Sequence, residues 1–188
     1  ALAGESCQSR LGVGGSLPIV GSIAAAGAAD SLVLGTAPPG GKLPEAWRPI
    51  ILEAIERGFD VVSGLHDFLA DDAEFSAAAR RRGVRLVDVR RNDERDVVSH
   101  EGIREGCLRI HTVANTSSCG KMVASLEVAR GLQRAGVDAK FVATGQTGIM
   151  IEGDGCPIDC VVADFIAGAA ENLVRAHQHH EVIVVEGQ

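Results

Sequence analysis

A lysine placed after a glycine at the start of a helical pattern can hold phosphate, and Gly120-Lys121 has that position. The run Asn115, Thr116, Ser117, Ser118, Cys119, Gly120, Lys121 and Met122 follows a strand pattern that begins at Leu108. It leads into a helical pattern with Met122, Leu126, Ala129 and Leu132 on one face and Gly136 as its stop. In such a cradle the loop and helix N–H groups point at an anion, and the ammonium adds a point charge. The expected ligand of residues 115–122 is therefore phosphorylated. The standard loop, G-x-x-x-x-G-K-[ST], has a first Gly where this chain has Asn115 and a hydroxyl where it has Met122. That hydroxyl normally ligates the Mg²⁺ of a bound nucleotide. Here the nearest downstream hydroxyl is Ser125, one helical turn on, so anion binding survives while Mg²⁺-nucleotide hydrolysis is in question. An ordinary strand–helix turn is the plainer alternative.

Other groups fall near the same place. Thr144, Gly145, Gln146, Thr147 and Gly148 follow a strand at 139–143 and offer hydrogen-bonding side chains among glycines, or simply a tight turn. Glu186, after the strand 182–185, is a candidate general base or Mg²⁺ ligand, with a solvated strand end as the bland reading. His66, after the strand 59–63, is a second candidate base at an interdomain face, or a structural histidine. Cys119 sits inside the loop as a reactive thiol or a packing residue. Cys156-Pro-Ile-Asp-Cys160 has no partner pair to complete a zinc site. Asp154 and Asp159 read as turn formers, Asp164 as a helix-opening acid, and His177, His179 and His180 as solvated residues at a helix end.

The elements that carry these groups alternate. Strands are expected at 31–35, 59–63, 84–89, from 108 into the loop, at 139–143 and at 182–185, and helices at 45–57, 71–82, 122–135 and about 161–177. This alternation argues for an α/β fold with parallel sheets, whose ligands bind beyond the carboxyl ends of the strands. Residues 1–30 are Gly/Ala-rich and weakly patterned. The glycines of Leu11–Pro18 follow no strand and fail as a dinucleotide fingerprint. A Pro/Gly loop spans 36–44, and the charged stretch 90–106 reads as a linker. The expected units are thus an N-terminal α/β unit over 31–106, its charged linker included, and a phosphate-loop unit over 107–188; the family resemblance given below implies that the first is Rossmann-like and that the second is incomplete at its C-terminal end. The start at Ala1 and the stop at Gln188 suggest a fragment.

Composition sets limits. The net charge is −7 with no basic tract, which argues against nucleic acid as a partner. No apolar run is long enough for a membrane span. Five scattered cysteines suit a reducing cytoplasm. A small-molecule substrate is the expected partner. A homo-oligomer is one way to cover the apolar surface of an Ala-rich segment and an incomplete sheet.

Gly58-Phe-Asp-Val-Val-Ser-Gly-Leu-His66, Gly120-Lys-Met122, Ala143-Thr-Gly-Gln-Thr-Gly-Ile149, Val162-Ala-Asp-Phe-Ile-Ala-Gly168 and Glu186-Gly-Gln188 together resemble a family long held to be of unknown function. Some of its members are described as D-glutamate N-acetyltransferases. The family pairs a Rossmann-like N-terminal domain with a P-loop domain similar to dethiobiotin synthetase. The resemblance covers about residues 32–188, and it implies acetyl transfer from acetyl-CoA to the amine of D-glutamate or a related amino acid. Where members usually carry Gly, Asp and a Thr shortly after Gly-Lys-Met, this chain has Ala114, Thr116, and then Val123 and Ala124. CoA carries a pyrophosphate and a 3′-phosphate, so a cradle without the Mg²⁺ hydroxyl still suits it. Under this reading Glu186 is the base, Gln146 lies near the developing oxyanion and Lys121 sits on phosphate. The alternatives are an ATP/Mg²⁺-dependent ligase or kinase and a nucleotide-binding module without turnover.

Overall fold

A computed structural model describes residues 2–36 and 38–188. Ala37, within the loop expected at 36–44, lies outside the described residues. The chain divides into two compact units, Ala1–Asp88 and Val89–Gln188. Both are α/β, each with a three-stranded parallel sheet.

In the first unit, β1 (Ser31–Leu34), β2 (Asp60–Ser63) and β3 (Leu86–Asp88) pair in that order. The register sets Leu32 beside Val61 and Val62 beside Val87. A short helix α1 (Cys7–Leu11) buries no residue, in keeping with the weak pattern of residues 1–30. Helices α2 (Arg48–Glu56) and α3 (Ala73–Arg82) supply Ile51, Ile55, Phe75 and Ala78 to a core closed by Val61 and Leu69. Asp72 caps α3 by accepting the N–H groups of Glu74 and Phe75, and Gly83 ends it in the left-handed region.

In the second unit, β4 (Leu108–His111) and β5 (Ala139–Val142) flank β6 (Val182–Val185). Helix α4 (Lys121–Arg134) connects β4 to β5. Ala129, Met122 and Leu126 of α4 pack on Phe141, Val182 and Val184. Ile183 and Val185 instead meet Leu173 and Val174 of α6 (Ile166–His177). Alternation along β6 therefore divides its side chains between two cores. The stretch 144–148 is not a simple turn. Gln146 opens a short helix, α5 (Gln146–Glu152), and Gly145 is its N-cap.

The boundary at Asp88 precedes the charged stretch, which belongs to the second unit instead of linking two domains. Its lack of periodicity comes from side-chain bonding to α6. Glu171 accepts the Ser99 N–H at 2.9 Å, Asn172 donates to Asp96 at 2.9 Å, and Gln178 donates to the Gly102 carbonyl at 2.9 Å. A methyl group on Gly168 would collide with the Asp96 carbonyl, so this approach demands glycine. None of the described helices is long and apolar enough to cross a membrane.

Candidate functional site

The carboxyl ends of β4, β5 and β6 build the site in the second unit. A cavity of about 350 Å³ is lined by Ser117–Val123, by Gln146 and Thr147, by Glu186–Gln188 and by Arg90. The structure thus brings the phosphate loop, the start of α5 and the end of β6 together. Asn115, Thr116, Thr144, Gly145 and Gly148 are not among its lining residues, and Thr144 instead lines a second cavity on the α6 side. His66 belongs to the first unit, exposed, with its backbone N–H on the Gly41 carbonyl at 2.8 Å.

The loop turns through Ser118 (φ 53°) and Gly120 (φ 98°), both in the left-handed region. Gly120 takes that conformation at little cost and serves as the N-cap of α4. Lys121 reaches back across the loop, its Nζ donating to the Thr116 carbonyl at 2.9 Å. The Cys119 thiol touches the same carbonyl at 3.2 Å and is exposed, not packed beneath the loop. The side chain one turn along, Ser125, is fully buried. Its hydroxyl lies 2.7 Å from that of Thr112 and donates to the Lys121 carbonyl at 2.9 Å. It is therefore sealed between β4 and α4, while Met122 and Val123 face the cavity. What the first turn of α4 presents to a ligand is N–H groups and one ammonium.

Glu186 is only 4% exposed. One carboxylate oxygen accepts the N–H groups of Thr144 at 2.9 Å and Gly145 at 3.0 Å, and the Thr144 hydroxyl donates to the Glu186 carbonyl at 2.9 Å. Burial raises its pKa above the ordinary carboxylate value, the two N–H groups oppose that, and the charge of Asp159 adds to it. The glycines around it are there for space. A methyl group on Gly148 would strike the carboxylate, one on Gly145 the Gln188 side chain, and one on Gly187 the Thr112 carbonyl. Glu186 and Gln188 also border a second, mostly apolar cavity of about 410 Å³ on the α6 side, walled by Ile158, Ile166, Leu173 and Val185.

Arg90 is the lining residue that the sequence reading passed over, because it stands in the charged stretch. Its guanidinium is buried, paired with Asp159 and 3.5 Å from the Cys160 sulfur, and it donates to Gln146 Oε1 at 2.7 Å. Asp159 is thus an ion-pair partner and not merely a turn former. Cys156 is buried, and burial pushes its thiol up to about 11, which disfavours the thiolate that a metal would need. Among the described residues no group of three or more His, Cys, Asp and Glu side chains could hold a metal ion. Among the described residues that line the loop cavity Glu186 is the one carboxylate, enough for a Mg²⁺ held mainly by phosphates but not for a protein-made cage. His177 is buried rather than solvated, with Asp154 at 3.3 Å, and burial lowers its pKa.

Residues 1–92 match the family described as domain of unknown function (DUF1611_N), Rossmann-like domain. Residues 96–188 match its companion, domain of unknown function (DUF1611_C), P-loop domain. The chain belongs to the DUF1611 family. A DUF1611 protein of known crystal structure, from Anabaena variabilis, is 37% identical with a TM-score of 0.91, covering 100% of this chain and 55% of that one. Two curated relatives are named D-glutamate N-acetyltransferase. The one from Tritonibacter scottomollicae is 39% identical across 88% of this chain and 49% of its own length. The one from a Pseudoalteromonas species is 41% identical across 85% of this chain and 48% of its own length. This DUF1611 chain therefore spans about half the length of the curated relatives it matches. The Rossmann-like and P-loop resemblance read from the sequence holds.

Proposed function

We propose that this chain carries the acyl-donor site of an N-acetyltransferase, acting from acetyl-CoA on the amine of D-glutamate or a related amino acid. The observation that carries this reading is the sealed Ser125. The loop keeps what holds phosphate, the N–H groups and Lys121, and shows Met122 and Val123 where a Mg²⁺-nucleotide site shows a hydroxyl. CoA phosphates need only the part that is kept. The names of the two curated relatives support the acetyl group and the acceptor.

In this reading the acceptor nitrogen attacks the thioester carbonyl carbon, forming the C–N bond as the C–S bond breaks. Glu186 takes the proton that the amine sheds, and the raised pKa of its carboxyl suits it to that task. Gln146 donates to the carbonyl oxygen as negative charge builds there. The electron pair leaves on the CoA sulfur, which takes the proton that Glu186 has received and ends as the thiol, so the carboxylate is regenerated. The apolar cavity bordered by Glu186 gives the acceptor room on the other side of the same carboxylate. The cytoplasm is the compartment this proposal assigns.

One observation favours a second reading. Glu186 faces the same cavity as Lys121, as a metal-facing carboxylate would in an ATP-dependent ligase or kinase. Release of free CoA thiol in the presence of D-glutamate, without added ATP or Mg²⁺, tests the transferase. No thiol release, together with ADP formation that requires Mg²⁺, selects the ligase. Tight nucleotide binding with neither product selects a binding module.

A further inference from the structure

We infer that Arg90 is a positioning residue, held by Asp159, that turns the Gln146 amide so that it can only donate into the loop cavity. This rests on the acetyltransferase reading for its chemistry and on geometry for its position. A guanidinium has donors and no acceptor. The atom of Gln146 that lies 2.7 Å from Arg90 Nη2 must therefore be the carbonyl oxygen, which leaves the NH₂ as the group Gln146 has for a ligand. Without Arg90 a glutamine amide presents either end, and an acceptor end would repel the oxyanion that the reaction develops. Asp159 makes the arrangement rigid by pairing with the other arm of the fork, with the Cys160 sulfur alongside. The Asn92 side chain ties the same corner by donating to the Cys160 carbonyl at 3.2 Å. Arg90, Gln146 and Asp159 come from the turn after β3, the first turn of α5 and a short 3-10 turn (Ile158–Cys160) before α6. The sequence offers no spacing that would link them.

The relation makes Arg90 act through Gln146, and that is what the experiment reads. Arg90→Met and Gln146→Ala are each expected to lower kcat by roughly 10² with KM for acetyl-CoA changed less than about threefold, as for loss of one oxyanion donor. The double variant should be no slower than Gln146→Ala alone. Multiplying losses in the double variant, or a raised KM for acetyl-CoA in Arg90→Met, would overturn the inference, the latter by making Arg90 a phosphate ligand. Gln146→Glu guards against a variant that fails to fold. It keeps the acceptor for Arg90 and removes the donor, so it should keep the melting temperature and lose kcat to the same extent. Retained kcat in Gln146→Glu would contradict the assignment. ¹⁵N relaxation of the Gln146 side-chain amide tests the positioning without any reaction. A rigid amide in the parent that becomes mobile in Arg90→Met supports it even if no acetyl transfer is found. An amide equally mobile in both overturns it.

Discussion

Thr112 and Ser125 are joined hydroxyl to hydroxyl at 2.7 Å, which closes the gap between the end of β4 and the first turns of α4. Thr112 also accepts the Gly187 N–H at 3.1 Å, so the phosphate loop and the strand end bearing Glu186 share one small polar junction. That junction consumes the α4 hydroxyl that lies nearest the loop. It is why the cradle offers Lys121 and N–H groups but no metal-facing oxygen from α4.

Replacing Glu186 should separate activity from stability. Glu186→Gln removes the proposed base and should abolish acetyl transfer. The carboxyl binds its proton more tightly in the folded chain, so ionising it costs folding free energy. That cost begins near the unfolded value of 4.5, grows as pH rises through the folded pKa, and is complete above it. The variant should therefore melt as high as the parent or higher at pH 7.5, with the advantage fading below pH 4.5. Thermal melts across pH check the sign, and a variant less stable at pH 7.5 than at pH 4 relative to the parent would contradict it.

Gly187→Ala drives a methyl group into the Thr112 carbonyl, a backbone atom that cannot swing aside. The expected loss is about 1–3 kcal/mol by denaturant unfolding. Gly153→Ala, where a methyl group meets nothing but the backbone has a positive φ of 76°, separates overpacking from left-handed strain. It should cost about 1 kcal/mol.

Much of this was legible in the sequence, and the exceptions share a cause. Among the described residues the expected strands are present and the longer helices lie where hydrophobic periodicity puts them, because α2, α3, α4 and α6 each turn an apolar stripe to a parallel sheet. Lys121, Gln146 and Glu186 converge because each follows a strand, and strand ends in such sheets meet. Arg90 was missed because its partners Asp159 and Gln146 are far away in sequence and its own neighbours are charged and aperiodic. Gly145 and Gly148 suggest a tight turn as the alternative to a binding segment at Gln146. Both glycines instead make room for Gln188 and Glu186 at the start of a helix.

Cysteine labelling should be ordered by exposure. Cys119 is exposed in the loop, while Cys107 and Cys156 are buried at 1% and 5% exposure. A maleimide should label Cys119 well before those two, and acetyl-CoA should slow that labelling. Peptide mass mapping of a brief reaction reads both effects.

His177 should titrate below 6.5, since burial disfavours its imidazolium more than Asp154 favours it. The unfolded chain then takes up the proton first, so stability present above pH 6.5 declines as pH falls through the window below that value. NMR titration of the His177 ring checks the direction. A midpoint above 6.5 would mean that Asp154 governs.

The most direct test of the central claim is calorimetric titration of the parent and Lys121→Ala proteins with acetyl-CoA, and separately with ATP plus Mg²⁺. A phosphate cradle adapted to CoA predicts acetyl-CoA binding in the parent, weakened at least tenfold in Lys121→Ala, with ATP binding that gains little from Mg²⁺. Tight ATP binding that depends on Mg²⁺, with acetyl-CoA binding absent or indifferent to Lys121, would contradict it.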